Sequence, residues 1–239
     1  MDKEKKKTFI GFYDYTVVLT YIGLSISVIG MTQAIEGRFR IAIVCLALSG
    51  LCDMFDGKIA RSKKNRTEEE KLFGMQIDSL CDMVCFGVYP AMICWLLGMK
   101  GIIGWIIICF YCVCSVIRLG FFNVLETKRQ REEEGANKYY HGLPITSMAI
   151  VLPLVFMIQV FVSNVVFICA LYLSLFLVGL LFIWDFKLRK PNNWMLTILV
   201  LVVAAAVVIM ILFSRFHIPK WSFPNTGFFD WLSRIVTKG

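Results

Sequence analysis

Seven stretches of about 20 apolar residues, each the length a helix needs to cross a hydrocarbon core, divide this chain. They lie near Phe12–Met31, Phe39–Ala60, Ile77–Leu97, Gly101–Phe122, Leu143–Val162, Val165–Trp184 and Trp194–Phe213. In hydrocarbon the backbone must satisfy its own hydrogen bonds, so such stretches fold as helices. The expected fold class is all-α: a polytopic membrane helix bundle. Hydrophobic residues make up 58% of the chain, above the ~45–50% of soluble domains. A length of 239 residues suits one membrane domain, with no large soluble appendage expected.

The basic residues orient the bundle. Lys3, Lys5, Lys6 and Lys7 precede the first span; Lys63, Lys64, Arg66 and Lys71 lie between the second and third. Lys128, Arg129, Arg131 and Lys138 follow the fourth, and Lys187, Arg189 and Lys190 follow the sixth. The alternate loops carry few charges, so the positive-inside rule places the N-terminus in the cytoplasm. The net charge of +8 suits an anionic lipid surface or a phosphate-bearing substrate. The charges are scattered through short loops, which argues against nucleic acid. Beyond Arg215, the aromatic residues Trp221, Phe223, Phe228, Phe229 and Trp231 alternate with polar ones and read as an interfacial segment.

The nine cysteines do not form a disulfide framework. Most lie inside apolar runs, where cysteine acts as a small hydrophobe. Cys109 and Cys112 are spaced as C-x-x-C but without the context of a redox fold.

Within the second and third runs sit two pairs of aspartates, Asp53 with Asp56 and Asp78 with Asp82. An Asp at the centre of a membrane helix costs about 3 kcal/mol, so four need compensation. Asp53, Asp56 and Ala60 share one helical stripe, flanked by Gly57 and Arg61; Gly74, Asp78 and Asp82 recur every fourth residue on the next helix. Thr67-Glu68-Glu69-Glu70 is a capping-box pattern that starts the third helix before the lipid boundary. A short loop can therefore turn the stripes face to face on the cytoplasmic side. Gly57, Ala60 and Gly74 leave room for a ligand beside the carboxylates. An all-oxygen donor set without His or thiolate selects Mg²⁺ or Mn²⁺ over Zn²⁺, and such ions act with phosphates. A carboxylate off the metals could take a proton from an attacking hydroxyl. The bland alternative pairs the aspartates with Arg61, Lys58 and Lys71 as helix-end salt bridges. A carrier of divalent cations is a third reading.

Asp53-x-x-Asp56-Gly57-x-x-Ala60-Arg61 followed by Gly74-x-x-x-Asp78-x-x-x-Asp82 resembles the signature of the CDP-alcohol phosphotransferases. The spacer Ser62–Phe73 is longer than the family norm by about one helical turn. In the first span, Thr16-Val17-Val18-Leu19-Thr20 stands where many members have Pro-Asn before Leu-Thr. Asp78–Ala91, Arg118-Leu119-Gly120-Phe121-Phe122-Asn123 and Tyr140-His141-Gly142-Leu143-Pro144-Ile145 are similar to stretches of the integral-membrane branch that uses serine, with Phe121 where a second Arg is usual.

The resemblance implies transfer of a phosphatidyl group from CDP-diacylglycerol to L-serine, with release of CMP. It implies a six-helix core over residues 12–190, preceded by a basic segment at 1–11 and followed at 191–239 by one added span and the aromatic tail. It also implies a homodimer in the cell membrane, working at the cytoplasmic face on a two-metal site. Asp53, Asp56 and Asp78 would hold the metals, and Asp82 would join them and serve as base, with Asp78 beside it in the catalytic pair. Gly57, Ala60, Arg61 and Gly74 would line the cytidine diphosphate pocket. Arg118, an intramembrane cation, is a candidate ligand for the serine carboxylate or a lipid phosphate, with Asn123 about a turn further on. His141 and His217 read as structural. Members making phosphatidylglycerophosphate or an inositol lipid share the Asp signature, so the acceptor rests on the flanking stretches.

Overall fold

The computed structural model describes residues 11–12, 15–62, 67–131, 139–189 and 193–212. Among them run eight α-helices: α1 (Val18–Ile35), α2 (Phe39–Ser62), α3 (Glu68–Asp82), α4 (Tyr89–Leu97), α5 (Gly101–Arg131), α6 (Met148–Ile158), α7 (Asn164–Ile183) and α8 (Asn193–Leu212). A π-helical turn, Met83–Val88, joins α3 to α4 in one continuous rod. The apolar runs therefore become seven rods in the expected order. Those at Val18–Ile35, Glu68–Leu97, Gly101–Arg129 and Asn164–Ile183 are long and apolar enough to cross a membrane, and shorter apolar helices accompany them. This is a multi-pass membrane bundle.

Several boundaries differ from the sequence expectation: the third rod starts at Glu68 rather than Ile77, and α5 runs on to Arg131 rather than ending at Phe122, so Lys128 and Arg129 are helical. The first helix begins at Val18, not Phe12, after a 3₁₀ turn at Tyr15–Val17. The fifth rod covers only Ile145–Ile158, not Leu143–Val162. Pro144 disfavours helical backbone at Leu143, and Gly142 takes a φ of +73°. That glycine lies under the end of α7: a Cβ there would meet the carbonyl oxygens of Trp184, Phe182 and Leu181 at 3.2 to 3.4 Å. The 142–144 turn is tied to the same end by hydrogen bonds from Gly142 N to Phe186 O and from Leu143 N to Leu181 O. A short antiparallel ribbon continues the tie, pairing β1 (Tyr139–His141) with β2 (Lys187–Arg189) in the register Tyr140 to Leu188. The aromatic tail, His217 and the basic residues Lys3–Lys7 and Lys63–Arg66 lie outside the described residues.

The start of α3 follows the sequence pattern closely. The Thr67 hydroxyl accepts from Glu70 N, and the Glu70 carboxylate accepts from Thr67 N. Three glutamates in the first turn complement the helix dipole.

Close packing of α1 on α2 positions the site. The buried stripe of α1 is Thr20, Gly23, Ser27, Gly30 and Ala34, small residues that let two backbones approach. A Cβ on Gly23 would lie 3.2 Å from Cys52 Cβ, and one on Gly30 would lie 1.9 Å from Tyr89 Oη and 2.6 Å from Cys45 Cβ. Ser27 donates to Ser49 across this seam at 2.9 Å. Tyr89, fully buried, donates to Ala42 O at 2.6 Å and locks α4 to the pair. On the other side α5 packs against α7, with the rings of Tyr111 and Phe182 5.6 Å apart. The α6 helix touches α2, α7 and α8.

Candidate active site

The two helices that carry the aspartates bring them together. One carboxylate oxygen from each of Asp53, Asp78 and Asp82 lies within 4.8 Å of the other two. Asp56 is not one of this trio. It is 5% exposed, and its Oδ2 accepts a 2.9 Å hydrogen bond from Thr20 Oγ1 on α1. Two ionised carboxylates about 4 Å apart repel by about 4 kcal/mol even at an effective dielectric of 20. Four such groups in one cluster require cations or protons between them.

The salt-bridge alternative weakens at Lys71, whose ammonium pairs with Glu68 at 2.7 Å on the outer surface of α3. Lys58 and Arg61 lie on α2, but their side chains are outside the described residues, as is that of Ala60. Gly57 and Gly74 are half-buried on the same two helices. The donor set is oxygen throughout, which fits a hard divalent ion. The nine cysteines are free thiols; Cys109 is exposed, while Cys112 Sγ points to Gly87 O at 3.9 Å.

The π-helical turn begins immediately after Asp82. One extra residue in a helix rotates the residues beyond it by about 100°. The aspartate stripe therefore stops at Asp82, and Phe86, four residues on, is 1% exposed in the core. Tyr111 stabilises this change of register by donating to the Phe86 carbonyl. Periodicity alone carries no signal for such a turn.

Arg118 and Asn123 both lie on α5, and each has a protein partner. Arg118 is 6% exposed. Its Nε donates to Leu143 O at 2.9 Å, and its guanidinium lies 5.9 Å from the Phe122 ring centroid. It thus clamps the 142–144 turn, whose following 3₁₀ turn (Ile145–Ser147) packs beside the π turn. Asn123 Oδ1 accepts from Ser79 Oγ at 2.7 Å, tying α5 to the residue next to Asp78. Thr20 and Ser79 were not among the expected site residues. Each is a hydroxyl in a helical run, and its partner lies 36 and 44 residues away.

The family model of the CDP-alcohol phosphatidyltransferases matches residues 16–177. The CDP-diacylglycerol–serine O-phosphatidyltransferase of Saccharomyces cerevisiae is 36% identical over 115 residues, 47% of this chain and 40% of the relative. That of Mycobacterium tuberculosis is 28% identical over 133 residues, 55% of this chain and 45% of the relative. The archaetidylserine synthase of Methanothermobacter thermautotrophicus is 30% identical over 155 residues, 63% of this chain and 59% of the relative. The chain thus spans from two fifths to three fifths of the length of these relatives.

Proposed function

The chain belongs to the CDP-alcohol phosphatidyltransferase family, and we propose that it transfers a phosphatidyl group from CDP-diacylglycerol to the hydroxyl of L-serine, giving phosphatidylserine and CMP. The convergence of Asp53, Asp78 and Asp82 from two helices carries this reading. Such a cluster suits a substrate whose diphosphate arrives with divalent cations. The relatives, whose names specify serine as acceptor, support the choice of headgroup.

Asp53, Asp56, Asp78 and Asp82 would hold Mg²⁺ or Mn²⁺, two ions in the full site, which would neutralise the diphosphate and the departing phosphate. The serine hydroxyl oxygen attacks the lipid-bearing phosphorus. Asp82 takes the hydroxyl proton, with Asp78 beside it fixing the geometry, and the bond from that phosphorus to the CMP oxygen breaks. Gly57, Ala60 and Gly74 leave space for the cytidine diphosphate. Arg61 supplies a planar, permanently charged fork for its oxygens. Arg118 and Asn123 serve the serine end through the turn and helix they tether. The basic loops support a site at the cytoplasmic face of the cell membrane. The family resemblance supports a catalytic membrane domain over residues 12–190 and its working as a homodimer.

A headgroup competition on the purified protein tests the acceptor. Given CDP-diacylglycerol, Mn²⁺ and equal concentrations of serine, glycerol 3-phosphate and inositol phosphate, the lipid product is expected to be phosphatidylserine. Phosphatidylglycerophosphate or an inositol lipid as product would replace serine and keep the family chemistry.

A further inference from the structure

Hydroxyl side chains inside the helices of this bundle mostly bond back to their own helix. Ser25 donates to Tyr21 O, Thr32 to Ile29 O, Ser115 to Tyr111 O and Thr127 to Asn123 O, the usual behaviour of helical Ser and Thr. Thr20 does not. Its hydroxyl crosses from α1 to α2 and donates to Asp56 Oδ2 at 2.9 Å, with Thr20 9% and Asp56 5% exposed. The seam makes this reach possible. Gly23, one turn along α1, faces Cys52 Cβ with only 3.2 Å for a Cβ, and Ser27 bonds Ser49 one turn beyond that.

The bond acts on the one aspartate that stands outside the tight trio. A hydroxyl donating to Asp56 Oδ2 fixes the plane of the carboxylate and so the direction of its other oxygen. We propose that Thr20 is a positioning residue that sets a second divalent-cation position: it fixes the orientation of Asp56 beside the Asp53–Asp78–Asp82 trio, so that Asp56 can serve a cation next to the one the trio would hold. The inference rests on the reading of the aspartates as a divalent-metal site and adds to it a part for the first helix, which carries none of the carboxylates.

The test is Mn²⁺ binding to the purified full chain without substrate, followed through the electron paramagnetic resonance signal of free Mn²⁺. The wild-type protein is expected to bind two ions. Thr20→Val keeps the shape of the side chain and removes the donor. It is expected to keep one ion at wild-type affinity and to bind the other roughly ten- to a hundredfold more weakly, the range of a lost hydrogen bond to a charged group. Thr20→Ser keeps the donor and is expected to restore two-ion binding, which a purely packing role for the Thr methyl would not do. Two ions at wild-type affinity in folded Thr20→Val, or loss of the second ion in Thr20→Ser, would overturn the proposal while leaving the metal site itself standing. Should Thr20→Val not be recovered folded, Thr20→Ser and Thr20→Ala are read against the same expectations. A wild-type protein that binds no Mn²⁺ would overturn both the proposal and the metal reading beneath it.

Discussion

Asp82→Asn is expected to lower turnover by about 10²- to 10⁴-fold, the usual contribution of a general base, while the apparent affinity for CDP-diacylglycerol changes by only a few-fold. The substitution is nearly isosteric and sits at the last residue of α3 before the π-helical turn, so the backbone has no reason to move. An amide can still offer an oxygen to a cation, but it cannot accept the proton of the attacking hydroxyl. The same change should leave the metal-free protein more stable to heat. Asp82 lies at close range to Asp53 and Asp78, and with no cation present, replacing one of three crowded acids relieves the cost of repulsion or of holding protons among them. Initial rates over a CDP-diacylglycerol titration, beside thermal unfolding in detergent with a chelator, measure both effects. Turnover within about tenfold of wild type would remove Asp82 from the role of base.

Gly30→Val is expected to have the largest effect on the fold. Even a single added methyl would stand 1.9 Å from Tyr89 Oη and 2.6 Å from Cys45 Cβ. Tyr89 cannot swing aside, since it is fully buried and its hydroxyl is bonded to Ala42 O, and Cys45 Cβ is fixed by the α2 backbone. Overpacking of this kind costs about 1–3 kcal/mol. The α1 helix would have to lift from α2, so Thr20 would also leave Asp56. Gly120→Ala is the control, because nothing lies within 4 Å of a Cβ there; its thermal midpoint should be unchanged or higher. A Gly30→Val protein as stable as that control would show that the α1–α2 seam does not hold the bundle.

Runs of apolar residues announce the rods because hydrocarbon admits little else. The capping box at Thr67 and Glu70 is local in the chain, and it forms as its pattern implies. The aspartate stripes needed only the helical repeat, and two of their faces meet as that repeat implies. The bond from Thr20 to Asp56 and the contact of Ser79 with Asn123 depend on which helices become neighbours, which no local pattern encodes. Arg118 reads from sequence as a ligand for an anion, yet in the fold it grips the Leu143 carbonyl. Its charge was legible and its first partner was not. The π-helical turn after Asp82 is legible only once Tyr111 on α5 is seen to support it. The shortened fifth rod, by contrast, was foreshadowed by Gly142 and Pro144, whose backbone preferences outweigh an apolar count.

If the aspartate cluster moves a phosphatidyl group from CDP-diacylglycerol to an alcohol, its two products must appear together, and counting them is the most direct measurement. Purified protein given CDP-diacylglycerol, serine and Mn²⁺ should release one CMP for each phosphatidylserine formed, and a chelator should stop both together. Transport of Mn²⁺ across proteoliposomes, with neither CMP release nor a lipid product, would contradict phosphatidyl transfer and make the carboxylates a transport pathway.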